Sequence, residues 1–175
     1  MGSDREIEKT QSPGEAIECF SPPCAMAGVD PAYNGRMMGD ELIEQLNVLL
    51  EAERAGAAGI TEVCLPATPS AHQAAMKAVA ADEGRFCSML YRHIVRLGGT
   101  PGTTVGGFRE KLAAVETFPE QLEFLNRGQA WVVRKLRDIV PRIDDALLHT
   151  DLMDMLKVHE QNIERCTVLA ASESS

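Results

Sequence analysis

Asp40-Glu-Leu-Ile-Glu-Gln-Leu-Asn-Val-Leu-Leu-Glu-Ala-Glu-Arg-Ala-Gly-Ala-Ala-Gly-Ile-Thr-Glu-Val63 carries a single apolar stripe. Leu42, Leu46, Leu49, Gly56, Ile60 and Val63 recur at spacings of three, four and seven, the period of a helix with one buried face. Glu53 interrupts the stripe. A carboxylate on a core face loses its hydration and needs a proton, a hydrogen-bond donor or a metal. Helix one is expected to start with Asp40 as N-cap and to end at Pro66 and Pro69.

Working outward, each later helix shows the same kind of interruption. Ser70-x-x-Gln73 reads as a capping box for helix two, with the stripe Met76, Val79, Glu83, Phe86, Leu90, His93, Leu97 and a stop at Gly98-Gly99. A long Gly- and Thr-rich connection follows, with a short helix expected around Arg109 to Val115. Thr117-Phe-Pro-Glu120 opens helix three, whose stripe Leu122, Leu125, Gln129, Val132, Leu136, Ile139 closes at Pro141. Helix four runs to about Ala171 along Leu148, Leu152, Leu156, His159, Ile163, Cys166 and Ala170. Residues 1–38 read as a mostly irregular N-terminal arm, 39–171 as the helical bundle and 172–175 as a frayed tail. Cys19 and Cys24 in the arm have poor spacing for zinc, and Tyr33 is a candidate for docking the arm on the bundle.

The expected fold is therefore all-α, a four-helix bundle with a long crossover between helices two and three. Glu53, Glu83, Gln129 and His159 each lie near the middle of their helices, which places them in one polar layer. Two carboxylates and an imidazole in a dry cavity would hold iron or manganese, with Glu53, Glu83 and His159 as ligands. Gln129, Cys87 and Arg54 are candidates for the surrounding shell, with Arg54 expected to pair with Asp82. The alternative is a metal-free module for dimerisation or partner binding, whose Glu/Gln/His layer only fixes helix register. His93 reads as a packed or surface histidine, and Trp131, Met153 and Met155 as core or interface. Gly56 and Gly59 point to close helix approach, within the bundle or across a homodimer.

Composition narrows the rest. The formal charge of −9 argues against a general grip on nucleic acid or anionic membrane. No apolar run is long enough for a membrane span, and the first residues lack a secretory apolar core. An odd, scattered set of 5 cysteines suits a reducing cytoplasm. The substrate, if there is one, is a small molecule of unknown identity.

Several strings carry a resemblance: Leu49-Leu-Glu-Ala-Glu-Arg-Ala-Gly56, Asp82-Glu-Gly-Arg-Phe-Cys87, Asn126-Arg-Gly-Gln-Ala-Trp-Val-Val-Arg-Lys-Leu136, His159-Glu-Gln-Asn-Ile-Glu-Arg-Cys166 and Asp30-Pro-Ala-Tyr33. From about Cys19 to Cys166 the chain resembles the ferritin-like superfamily, in an uncharacterised bacterial branch defined by a domain of unknown function. Di-iron members use a Glu on two helices and Glu-x-x-His on the other two. Against that pattern Glu53, Glu83 and His159 remain, whereas Phe86, Gln129 and Leu156 replace the other ligands. The resemblance thus implies a reduced site, with a single metal or none rather than a full di-iron centre, and carries no activity with it; an oxidoreductase is the class that a central metal site suggests.

Overall fold

The computed structural model of the protein describes residues 35–173. Most of the expected arm, including Cys19, Cys24 and Tyr33, lies outside the described residues. Helix α1 spans Gly39–Gly59 and passes into a π-helical segment at Ile60–Cys64 and a last α turn at Leu65–Ala67. A 3-10 turn at Ser70–His72 leads into α2, Gln73–Arg96. The short α3 covers Phe108–Ala113, α4 Phe118–Ile139 and α5 Ala146–Glu173. No strand occurs among the described residues.

Two apolar clusters build the core, and their order along each helix gives the topology. One holds Leu46, Leu49 and Leu50 of α1, Phe86 and Leu90 of α2, Val132 and Leu136 of α4, and Leu148 and Leu152 of α5. The other holds Ile60, Met76, Val79, Leu122, Leu125 and Cys166. Helices α1 and α5 meet the first cluster and then the second, while α2 and α4 meet them in the opposite order. Thus α2 and α4 run parallel, and the connection between them must cross the length of the bundle. This is the expected fold with its long crossover. Each fully buried Leu contributes about 1.5–3 kcal/mol through removal from water.

The crossover is held to the outer side of α1. Gly98, at φ +82°, turns the chain out of α2, with Gly99 N–H donating to Ile94 O at 2.9 Å in a Schellman-type stop. Asn47 then donates to Thr100 O at 3.1 Å and accepts from Gly102 N–H at 2.6 Å. Arg54, two turns further along α1, donates to Gly102 O. It is therefore not the partner of Asp82, which instead accepts from Asn162 Nδ2 at 3.2 Å and lies 3.6 Å from Arg85.

Helix ends depart from the sequence reading in three places. Helix α1 begins at Gly39 with Met38 in the cap position, and no side chain caps it, Asp40 included. Ser70 likewise makes no cap bond to α2. Gln73 turns back instead, donating to Leu65 O and Thr68 O at 2.9 Å each and so satisfying carbonyls at the end of the preceding helix. At Thr117 the capping box forms as read: its hydroxyl donates to Glu120 Oε2 at 2.7 Å and accepts from Glu120 N–H at 3.4 Å. The final helix continues through Glu173, two residues past the expected Ala171.

The π segment shifts which side chains face inward. A wider turn delays the helix by one residue, so Cys64 is buried where the unbroken period pointed to Val63, which is half-buried. In α5, Met155 and Asn162 are buried while Leu156 and Ile163 are half-buried. Because Thr117 caps and Ser70 does not, Thr117→Ala should lower the unfolding free energy by about 1 kcal/mol. Ser70→Ala should change it by less than about 0.5 kcal/mol. Urea denaturation measures both, and equal losses would show that Ser70 caps after all.

Candidate metal centre

Between the two apolar clusters lies a single polar layer. Glu53 (α1), Glu83 (α2), Gln129 (α4) and His159 (α5) are all buried there, none more than 3% exposed. Each occupies a position that the helical period turns inward, and each is flanked along its helix by residues of one cluster on either side. Gly56, one turn beyond Glu53, makes room for the opposing carboxyl. A Cβ at Gly56 would stand 2.5 Å from Glu83 Oε2. Its smallness serves a close approach within the bundle, as does that of Gly59, which faces Leu112 and Phe108.

One ligand-type atom from each of Glu53, Glu83 and His159 lies within 4.8 Å of the others. His159 Nδ1 is 3.0 Å from Met155 O. A carbonyl only accepts, so Nδ1 carries the hydrogen, and in the neutral ring Nε2 presents a lone pair. That lone pair faces Glu53 Oε1 at 3.2 Å, without hydrogen-bond geometry. Both Glu53 oxygens, His159 Nε2 and both polar atoms of Gln129 have no hydrogen-bond partner within the protein.

The electrostatics follow from burial. Desolvation raises the Glu53 pKa from 4.5 to about 8, with the adjacent Glu83 carboxyl opposing part of the rise. Glu83 is pushed well above its ordinary range by burial first and then by the nearby Glu53 charge. Cys87, half-buried beside the layer, has its thiol pushed up to about 12 by burial and by both carboxylates. It is therefore a protonated, unreactive neighbour at neutral pH. Phe86 stands where a second histidine would be in the Glu-x-x-His pattern, its ring centroid 5.5 Å from that of His159.

A cavity of about 400 Å³ opens onto this layer, and Glu83, Gln129 and His159 contribute to its wall. Sequence reading did not find Gly106, Phe108 and Gly128, which also line it. Only the path of the crossover brings the first two there. Other candidates fall elsewhere. His93 is buried at the far end of α2, 2.7 Å from Asp151 and 3.0 Å from an Arg96 nitrogen. Met155 is core, while Trp131 and Met153 are partly exposed. Cys166 is buried in the second cluster, with its thiol pushed up to about 12 by burial.

The donor set is chemically suited to a divalent ion. Carboxylate oxygens and one neutral imidazole nitrogen match iron or manganese, and a cation would satisfy the atoms that lack protein partners. The Nδ1–H bond to a backbone carbonyl is the usual way a ligating histidine is oriented.

The fold is that of a ferritin-like four-helix bundle. Its helices match a solved ferritin-like, diiron-carboxylate protein from Bacillus anthracis str. Ames, with a TM-score of 0.63 and 21% identity over 74% of this chain and 95% of that one. The chain belongs to the family described as "Domain of unknown function (DUF6306)", which matches residues 40–168. No curated protein matches it.

The raised carboxyl pKa sets a pH dependence for metal-free protein. An acid with a folded pKa of about 8 and an ordinary value of 4.5 holds its proton when folded and loses it when unfolded between those limits. The unfolded state then binds fewer protons, so stability falls as pH rises through that window. Chelator-treated protein should lose about 1 kcal/mol per pH unit between pH 5 and 8, measured by urea unfolding. Glu53→Gln should reduce that slope, with the share that buried Glu83 contributes remaining, and an unchanged slope would contradict the assignment.

Proposed function

We propose that the protein binds one iron or manganese ion at mid-bundle through Glu53, Glu83 and His159, and serves as an oxidoreductase. The observation that carries this reading is the acceptor-to-acceptor approach of His159 Nε2 and Glu53 Oε1 at 3.2 Å, with no protein donor between them. Two lone pairs at that distance repel unless a proton or a cation lies between them. A proton alone would satisfy that single contact. The third ligand-type atom, from Glu83, favours a cation.

A bound ion of this type would supply one-electron redox chemistry. Glu53 and Glu83 provide hard, anionic donors, and His159 is held in orientation by Met155 O. Phe86 and the leucines around it exclude bulk water, which strengthens every charge interaction inside. Gln129, its amide free of protein partners, would orient a water or substrate beside the centre. A mononuclear site is favoured over a dinuclear one because Phe86, Gln129 and Leu156 stand where further ligands would be needed.

The cellular setting is part of the same reading. Cys64, Cys87 and Cys166 are free thiols, which fits the reducing cytoplasm. No helix among the described residues is long and apolar enough to cross a membrane. Tyr91 and Val95, one turn apart and each about half exposed, supply an apolar face on α2 for a homodimer.

Metal analysis of protein purified without an affinity tag tests the proposal. Wild type should carry one iron or manganese per chain, and the Glu53→Ala/His159→Ala double variant should carry neither while keeping its helical circular dichroism. Equal, negligible metal in both would replace the proposal with a structural polar layer in an interaction module. Two metals per chain would overturn the mononuclear assignment.

A further inference from the structure

The cavity above the polar layer has an uneven lining. Ala52, Ala55, Phe108 and Val132 make its sides apolar, and Trp131, 41% exposed, stands at its outer part. Gln129 contributes to its wall, 3% exposed, and neither the oxygen nor the nitrogen of its amide is bonded within the protein. Although the Cys166 thiol is near it, the two are not in hydrogen-bond geometry. A buried primary amide with an unused donor and an unused acceptor loses free energy unless a ligand or water supplies both complements.

Two glycines let the walls of this space pack closely. A Cβ at Gly128 would meet the Phe108 ring at 2.8 Å, and one at Gly106 would come within 3.2 Å of Glu51 Oε1. Both walls therefore approach as closely as a missing side chain allows. With about 400 Å³ available, the cavity takes one ring-sized molecule rather than a long chain or a polymer. Aromatic faces at Phe108 and Trp131 favour a planar body.

We propose that this cavity is the binding site for a small, uncharged molecule with a ring-sized apolar body and one hydroxyl or carbonyl group, held at that group by Gln129. Its service as a substrate site rests on the metal centre proposed above, since the same cavity opens onto Glu83 and His159. Its capacity to bind does not. Gln129 donates to the ligand oxygen through Nε2 and, for an alcohol, accepts through Oε1. In metal-free protein an anionic head group is disfavoured, because Glu51 and Glu83 line the cavity and no Lys or Arg does.

Trp131, the chain's 1 tryptophan, reports on the cavity directly. Its emission is titrated with benzyl alcohol, benzoate and toluene, in protein as purified and after chelator treatment. Benzyl alcohol should give a saturable change, with benzoate and toluene each weaker by roughly tenfold. Gln129→Leu should weaken benzyl alcohol by roughly tenfold and leave toluene unchanged, which also shows that the variant's cavity is intact. Ala52→Phe should abolish binding of both by filling the space. No saturable change with benzyl alcohol, tighter binding of benzoate than of benzyl alcohol by chelator-treated protein, or identical alcohol binding by wild type and Gln129→Leu would overturn the proposal. Saturable binding by protein that carries no metal as purified would sink the metal centre and leave the cavity assignment standing.

Discussion

A bond from His159 Nδ1–H to the Met155 carbonyl governs the centre of this molecule. By using the hydrogen of the ring on its own helix, it leaves the other nitrogen as a bare acceptor pointing at a buried carboxyl. Neither group can retreat to water, since Glu53 and His159 are 0% and 1% exposed. The rest of the bundle is arranged so that this arrangement can exist. Leucines and valines pack above and below the layer, and α1, α2 and α5 each bring one ligand-type side chain to the same height.

The fold meets that requirement through a topological choice. Parallel α2 and α4 need a long crossover, and the crossover is not idle chain. Asn47 and Arg54 fasten it along α1, and its far end carries Gly106 and Phe108 into the cavity wall. A short loop would have given an up-down-up-down bundle, without that wall. The polar layer and the cavity that reaches it thus have a common origin in the connection.

Comparison with the di-iron arrangement shows how a shared scaffold can hold a smaller site. Helix α2 retains Glu83 but packs Phe86 against His159, and α4 brings an amide where the pattern has a carboxylate. Gln129 and Leu156, standing where the pattern has carboxylates, leave the interior with less negative charge. The likeness to the diiron-carboxylate protein is accordingly one of fold.

Much of this was legible in the chain itself. Apolar period, proline and glycine punctuation, and one polar interruption per helix located the four long helices and the layer of Glu53, Glu83, Gln129 and His159, because these are local properties repeated every turn. Three features were not legible. The π segment at Ile60–Cys64 changed the inward phase, although Gly59 before it and Pro66 after it signalled only close approach and a helix end. Gln73 served the helix before it instead of its own, and Arg54 held the crossover instead of Asp82, since both were decided by which carbonyls and loops arrived nearby. The cavity wall joined residues from α1, the crossover and α4, far apart in sequence. Amino-acid order determined which side chains turn inward and roughly how far along each helix they sit. Only packing decided which of them touch, because distance across a bundle depends on connection path and helix phase rather than on any local pattern.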